Sequence, residues 1–275
     1  MKLTHLSLFS GIGGLDLAAE MAGFETVGQC EWAPYPAKVL ERHWPDVPRW
    51  RDIRTLTKES FCERTGLRTV DIISGGFPCQ PFSSAGKQRG KDDDRYLWPE
   101  MLRVISSIRP SWVIGENVPG IINLALDQVL SDLENIGYTG QALSVPACAV
   151  DAPHRRNRIA ILAYSDRDGC KRSGSKPTER RDISQECASF SAGSDVCNAN
   201  GAGLQITRHE RELKTSEQKN GASVADWWPA EPGVGRVAHG IPNRVDRIRC
   251  LGNAVVPQQF YPFFKYIHDI EEARQ

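Results

Sequence analysis

The sequence predicts an α/β fold, a mixed and mostly parallel sheet with helices on both faces. A strand, a tight glycine turn and a helix follow one another between His5 and Met21. Val70 to Ile73 and Trp112 to Gly115 are short apolar runs that suit strands buried on both faces of a parallel sheet. Glu31 closes a second strand twenty residues after Gly11, where such folds place a carboxylate for ribose hydroxyls.

In chain order, His5 to Phe9 reads as the first strand, Ser10 to Gly14 as the glycine loop and Leu15 to Met21 as the helix. This is how α/β folds bring bare backbone and a helix amino terminus to a nucleotide-like ligand. Thr26 to Gln29 is the second strand. The run from Val70 to Ile73 leads into GGFPCQPFSSAG, where Gly75 and Gly76 let the backbone leave the sheet steeply and Pro78 and Pro81 stiffen the exit around Cys79. A thiol held this way stands above the sheet edge, where ligands of open α/β sheets bind.

Lys87 to Arg95 (KQRGKDDDR) is too polar to pack and reads as a surface loop. Leu97, Met101, Val104, Ile105 and Ile108 form a helical apolar stripe over about Tyr96 to Ser107. The next strand, Trp112 to Gly115, delivers Glu116 and Asn117 to the same sheet edge, so a carboxyl group meets a thiol across one bound ring. A helix over Ile121 to Ile136 and strands at Gly140 to Val145 and Ile159 to Ala163 follow. Between the last two, APHRRNR reads as extended chain, which puts Arg156 and Arg158 on one face toward a base or phosphate. Pro257 opens a final amphipathic helix through Tyr261, Phe264, Ile267 and Ile270.

Gly-Phe-Pro-Cys-Gln-Pro-Phe-Ser resembles the nucleophile loop of the cytosine carbon-5 DNA methyltransferases, and further strings are similar to that family's motifs in the family's order. They cover Leu6 to Arg158 and Arg244 to Gln258. The resemblance implies a Rossmann-like S-adenosylmethionine-dependent methyltransferase fold plus a small irregular target-recognition region. It implies Cys79 as nucleophile, Glu116 of Glu-Asn-Val as the acid at the ring nitrogen, Arg156 to orient the base and hold the glutamate, and Arg158 in support. For the methyl donor it implies Phe9 against the adenine, the loop residues Ser10, Gly11, Gly13, Gly14 and Leu15 at the methionine end, and Glu31 on the ribose. Trp32 takes the other adenine side and Asp52 with Ile53 the adenine edge. Pro78, Leu97, Asn253 and Ala254 complete that pocket. The one departure is His154, where the family usually has Gln.

The resemblance divides the chain into a catalytic domain, residues 1–163 and 244–275, and a target-recognition region, 164–243. The texture of the second is polar, rich in Ser, Gly, Arg, Lys, Glu and Asn, with Trp227 and Trp228 as its large anchors. Net charge is zero overall, so no global basic field points to nucleic acid. Asp151 to Cys250 nevertheless holds 17 Lys or Arg against 13 Asp or Glu, a local bias toward a polyanion. The eight cysteines show no CxxC pair, which argues for reduced thiols, and the irregular spacing of Cys170, Cys187, Cys197 and His209 argues against zinc. No segment approaches eighteen consecutive apolar residues and the amino terminus lacks a secretory pattern.

The expectation is a monomeric, cytoplasmic bacterial or phage enzyme. It takes S-adenosyl-L-methionine as co-substrate, no metal, double-stranded DNA as partner, no membrane, and leaves room for a cognate restriction endonuclease. A tRNA methyltransferase with the same chemistry, and a non-catalytic DNA-binding regulator on the same fold, are the alternatives.

Overall fold

The structure, a computed structural model, describes residues 2–78, 96–165 and 242–274. Cys79, the loop through Arg95, the zinc candidates and the tryptophan pair lie outside the described residues, as does nearly all of the expected target-recognition region. Every described residue belongs to one unit, Met1–Gly169 with Val224–Gln275.

Seven strands form one sheet: β1 (Thr4–Leu8), β2 (Glu25–Cys30), β3 (Arg49–Trp50), β4 (Ile72–Gly75), β5 (Trp112–Asn117), β6 (Tyr138–Val145) and β7 (Arg158–Ser165). Their order across the sheet is β3-β2-β1-β4-β5-β7-β6. β1 to β5 are parallel, and β7 runs against both of its neighbours. The chain steps from β1 to β2 on one side and later to β4 on the other, which opens a crevice at the carboxyl ends between them.

Register lines these ends up. Leu8 pairs with Cys30 on one side and Gly75 on the other, and Gly75 pairs with Gly115. One residue further along each strand stand Phe9, Glu31, Gly76 and Glu116, so a row of candidate site residues leaves a single sheet edge.

Alternation along the strands assigns the two faces. Ile73 and Val113 pack with α3 (Lys58–Thr65), α4 (Trp98–Ile108) and α6 (Leu126–Asn135) through Phe61, Met101, Ile105, Val129 and Leu133. Ile72 and Ile114 point the other way, against Leu15, Ala18 and Ala19 of α1 (Gly14–Met21) and Phe260, Phe264 and Ile267 of α8 (Pro257–Arg274). This is the strand period of two meeting the helical period of 3.6 on each face.

One expectation changes and two helices are added. The helix expected over Ile121 to Ile136 is two helices, α5 (Ile121–Leu124) and α6, because Ala125 at φ −152° leaves the helical region. The return segment from Arg244 is itself a helix, α7 (Arg244–Asn253). A further helix, α2 (Pro34–His43), follows β2 and opens on prolines, which suit a first helical turn. Four cysteines among the described residues, Cys30, Cys62, Cys148 and Cys250, are free thiols. No described helix is long and apolar enough to cross a membrane.

Candidate active site

The glycine loop is shaped by backbone that ordinary residues avoid. Phe9 sits at φ 52°, Gly11 at 57° and Gly13 at 89°. For Phe9 this is an outlier that costs about 1–3 kcal/mol and is tolerated where the surroundings impose it. Each glycine answers a different need. Space around the Cβ position of Gly11 is open, so this glycine leaves room on the cavity side. A Cβ on Gly13 would stand 2.5 Å from the Trp44 ring, and one on Gly14 would stand 2.9 Å from the carbonyl of Val255. Gly13 therefore serves helix packing and does not line the cavity, against the expectation for it. Gly14 admits the chain that follows α7.

Glu31 is held by backbone at both oxygens. Gly11 N–H donates to Oε2 at 2.8 Å and Ala33 N–H to Oε1 at 2.7 Å. A carboxylate accepts about four hydrogen bonds, so two backbone donors leave capacity for a pair of hydroxyls. Arg51, which nothing in its sequence neighbourhood singles out, donates from Nη2 to the carbonyl of Trp32 at 2.7 Å and from Nε to that of Glu31 at 3.1 Å. It thereby braces Trp32, whose side chain is 70% exposed at the cavity. Asp52 accepts from Arg54 N–H at 3.0 Å and opens a short 3-10 turn beginning at the buried Ile53.

At the other end, Glu116 Oε1 lies 2.7 Å from Arg158 Nε, and both side chains are only 12% exposed. Burial pushes the Glu116 carboxyl up, against the pull of the Arg158 and Arg156 charges. Gly76 makes room for it: a Cβ there would stand 2.7 Å from Glu116 Oε2. The neighbouring Asn117 is buried, donating to the carbonyl of Phe77 at 3.0 Å and accepting from Val118 N–H at 2.9 Å. It ties the end of β5 to the chain leaving β4, two residues ahead of Cys79.

The two arginines do not share a face. Arg156 adopts φ 29° before β7 begins, so the chain is not extended at that point. Its guanidinium goes to backbone carbonyls at the end of α7, and it is Arg158 that holds the glutamate. The contact with the glutamate that was expected of Arg156 is thus made by Arg158.

One cavity of about 1130 Å³ runs between these two ends. One end takes in Phe9, Ser10, Gly11, Gly14, Leu15, Glu31, Trp32, Asp52 and Ile53. Pro78, Leu97, Asn253 and Ala254 line its walls, and Glu116 and Arg158 lie at the far end. Ligand pockets commonly measure about 300–1,000 Å³, so this space is just above the upper end of that range. Asp246 and Arg249 of α7 also line it, and nothing in their sequence neighbourhood signals that, because the helix they ride on is otherwise exposed.

A sheet of this order with one reversed strand, carrying a cleft so lined, defines the class: a Rossmann-like methyltransferase fold of the S-adenosylmethionine-dependent kind. The chain belongs to the C-5 cytosine-specific DNA methylase family, whose profile matches residues 3–229. It is 33% identical over 174 residues to the Type II methyltransferase M.NgoMIV of Neisseria gonorrhoeae, covering 60% of this chain and 53% of that protein. It is 37% identical over 178 residues to the Type II methyltransferase M.AquIA of Picosynechococcus, covering 59% of this chain and 72% of that one. Among solved structures it resembles a prophage-encoded E. coli protein described as a candidate DNA modification methyltransferase, with TM-score 0.52 and 28% identity over 60% of this chain and 47% of that one. The chain spans about half the length of most of the curated relatives it matches, 53% of the first and 41% of another.

Proposed function

We propose that the protein transfers a methyl group from S-adenosylmethionine to carbon 5 of a cytosine held out of duplex DNA. The observation that carries the reading is the continuity of the cavity from Glu31 to Glu116. The residues present suit the donor: open space at Gly11, a carboxylate with spare acceptor capacity at Glu31, and aromatic surface from Phe9 and Trp32 on the same cavity. When bound, S-adenosylmethionine supplies an electrophilic sulfonium methyl. Asp52 and Ile53 would take the adenine edge, and Leu97, Pro78, Asn253 and Ala254 the remaining walls.

Carbon 5 of cytosine is a poor nucleophile while the ring stays aromatic. Addition of the Cys79 thiolate at carbon 6 breaks the aromaticity and loads carbon 5 with enamine density. Glu116, its proton favoured by burial, donates at the ring nitrogen where negative charge develops. Arg158 holds Glu116 in place and limits how far burial raises it. After transfer, the ring-nitrogen proton returns to the Glu116 carboxylate, and loss of the carbon-5 proton to water lets the thiolate leave and restores the aromatic ring.

The target atom is hidden in a stacked duplex, so the base must flip at a cost of a few kcal/mol. Residues 164–243 would read the surrounding sequence, and a cognate endonuclease would share the site. A monomer working in the bacterial cytoplasm fits this reading.

The test is transfer of labelled methyl from S-adenosylmethionine to duplex DNA and, side by side, to bulk tRNA. Label in DNA recovered as 5-methylcytosine is the expected result. Label confined to tRNA would replace the substrate, and label in neither would overturn the assignment.

A further inference from the structure

Arg156 does not itself line the cavity, but its side chain goes to the segment that does. Its Nη2 donates toward the carbonyls of Gly252 at 2.7 Å, Ala254 at 2.5 Å and Leu251 at 3.3 Å. The last carbonyls of a helix lack intrahelical partners and form the negative end of its dipole, so a guanidinium there is favourable on both counts. The backbone of the same residue is anchored in the opposite direction. Gln259, fully buried near the start of α8, donates from Nε2 to the Arg156 carbonyl at 3.0 Å and to that of Val145 at 2.7 Å.

Residue 156 is therefore fastened to the end of α7 by its side chain and to α8 by its main chain. Between those fastenings lies the linker Ala254 to Val256. Asn253, Ala254 and Val255 line the cavity, and Val255 presses so closely on Gly14 that no side chain fits between them. Apart from Cys250, residues 243–253 are exposed or half-buried, so α7 gains little hold on the molecule from its own packing. Its last turn is held through Arg156.

We infer that Arg156 is a positioning residue for the methyl-donor site, clamping the α7–α8 linker into the cavity wall, and that it is not a group that handles the base. The inference rests on the donor reading above and concerns which end of the cavity this arginine serves.

The experiment compares the full chain with Arg156→Ala, Arg156→Lys and Arg158→Ala by equilibrium dialysis of labelled S-adenosylmethionine. Steady-state methyl transfer and amide hydrogen exchange are measured alongside. Arg156→Ala should weaken donor binding at least tenfold and raise the donor KM in proportion, while kcat at saturating donor falls less than threefold. Arg158→Ala should leave donor affinity within threefold and lose kcat.

Exchange protection should drop in residues 244–256 of Arg156→Ala and hold elsewhere. Arg156→Lys, which keeps the charge but offers one point of attachment, should lie between parent and alanine variant. It carries the comparison if Arg156→Ala fails to fold. Donor affinity equal to the parent's with unchanged protection at 244–256, or a loss confined to kcat, would overturn the inference. If the parent itself binds no donor, the donor reading falls first and the inference with it.

Discussion

In the proposed reaction Glu116 is protonated when negative charge develops on the ring, yet it lies beside two arginines that favour its charged form. Burial tips the balance upward, so the proton is retained to higher pH than an exposed glutamate would allow. A carboxyl with a raised pKa loses its proton as pH climbs through that value, so kcat/KM for DNA should fall on the alkaline side. Arg158→Gln removes the largest opposing pull and should move that limb to higher pH while lowering the plateau, which a pH–rate profile resolves. Room for the carboxyl depends on Gly76: Gly76→Ala puts a Cβ 2.7 Å from Oε2 and should cut methyl transfer at least tenfold with little change in Tm.

Asp16 shows the same burial effect without chemistry to justify it. It is buried under the glycine loop, takes hydrogen bonds from Ser7 Oγ and Gln29 Nε2 at 2.8 Å each, and is pushed up to about 6 from 3.8. Between these values the unfolded carboxylate ionises and the buried one does not, so stability is lost as pH rises through that window. The loss is of order 3 kcal/mol. Asp16→Asn should therefore gain on the parent by up to that amount between about pH 4 and pH 7 in urea titrations. At this scale Glu31 and Glu116 were legible because a carboxylate at the end of a buried strand has one place to go. Arg156 was not, because a positive φ at an arginine carries no mark in the sequence and reverses which way the side chain leaves.

Elements were legible in proportion to their apolar period. α4 and α8 show their stripes plainly, and both bury them against the sheet. Phe264 is the centre of the α8 contact, edge-on to His5 at 5.5 Å and to Phe24 at 5.8 Å, and fully buried. Phe264→Ala should destabilise by about 3–5 kcal/mol, measurable by chemical denaturation. α7 was harder to read. Val245, Ile248 and Leu251 stand at helical spacing over barely two turns, and all three are exposed. The break at Ala125 was hidden, since alanine is the residue least expected to interrupt a helix. It turns the end of α5 so that Asn123 and Leu124 line the cavity.

For the whole molecule, the sheet order places one half of the cavity at β1 and β2 and the other at β4, β5 and β7, the halves that the proposed reaction gives to donor and base. The two halves are built by strands far apart in sequence, and the register at Leu8, Gly75 and Gly115 brings them level. That alignment puts Pro78 on the cavity wall one residue before Cys79. In the proposed reaction this thiol attacks a cytosine presented beside Glu116. The direct measurement is denaturing electrophoresis and intact mass of the protein after incubation with S-adenosylmethionine and duplex DNA substituted throughout with 5-fluorocytosine, which blocks the final proton loss. A covalent protein–DNA species that forms with the parent chain and is absent from Cys79→Ser is the predicted result. No adduct with an active parent, or an adduct that persists in Cys79→Ser, would contradict it.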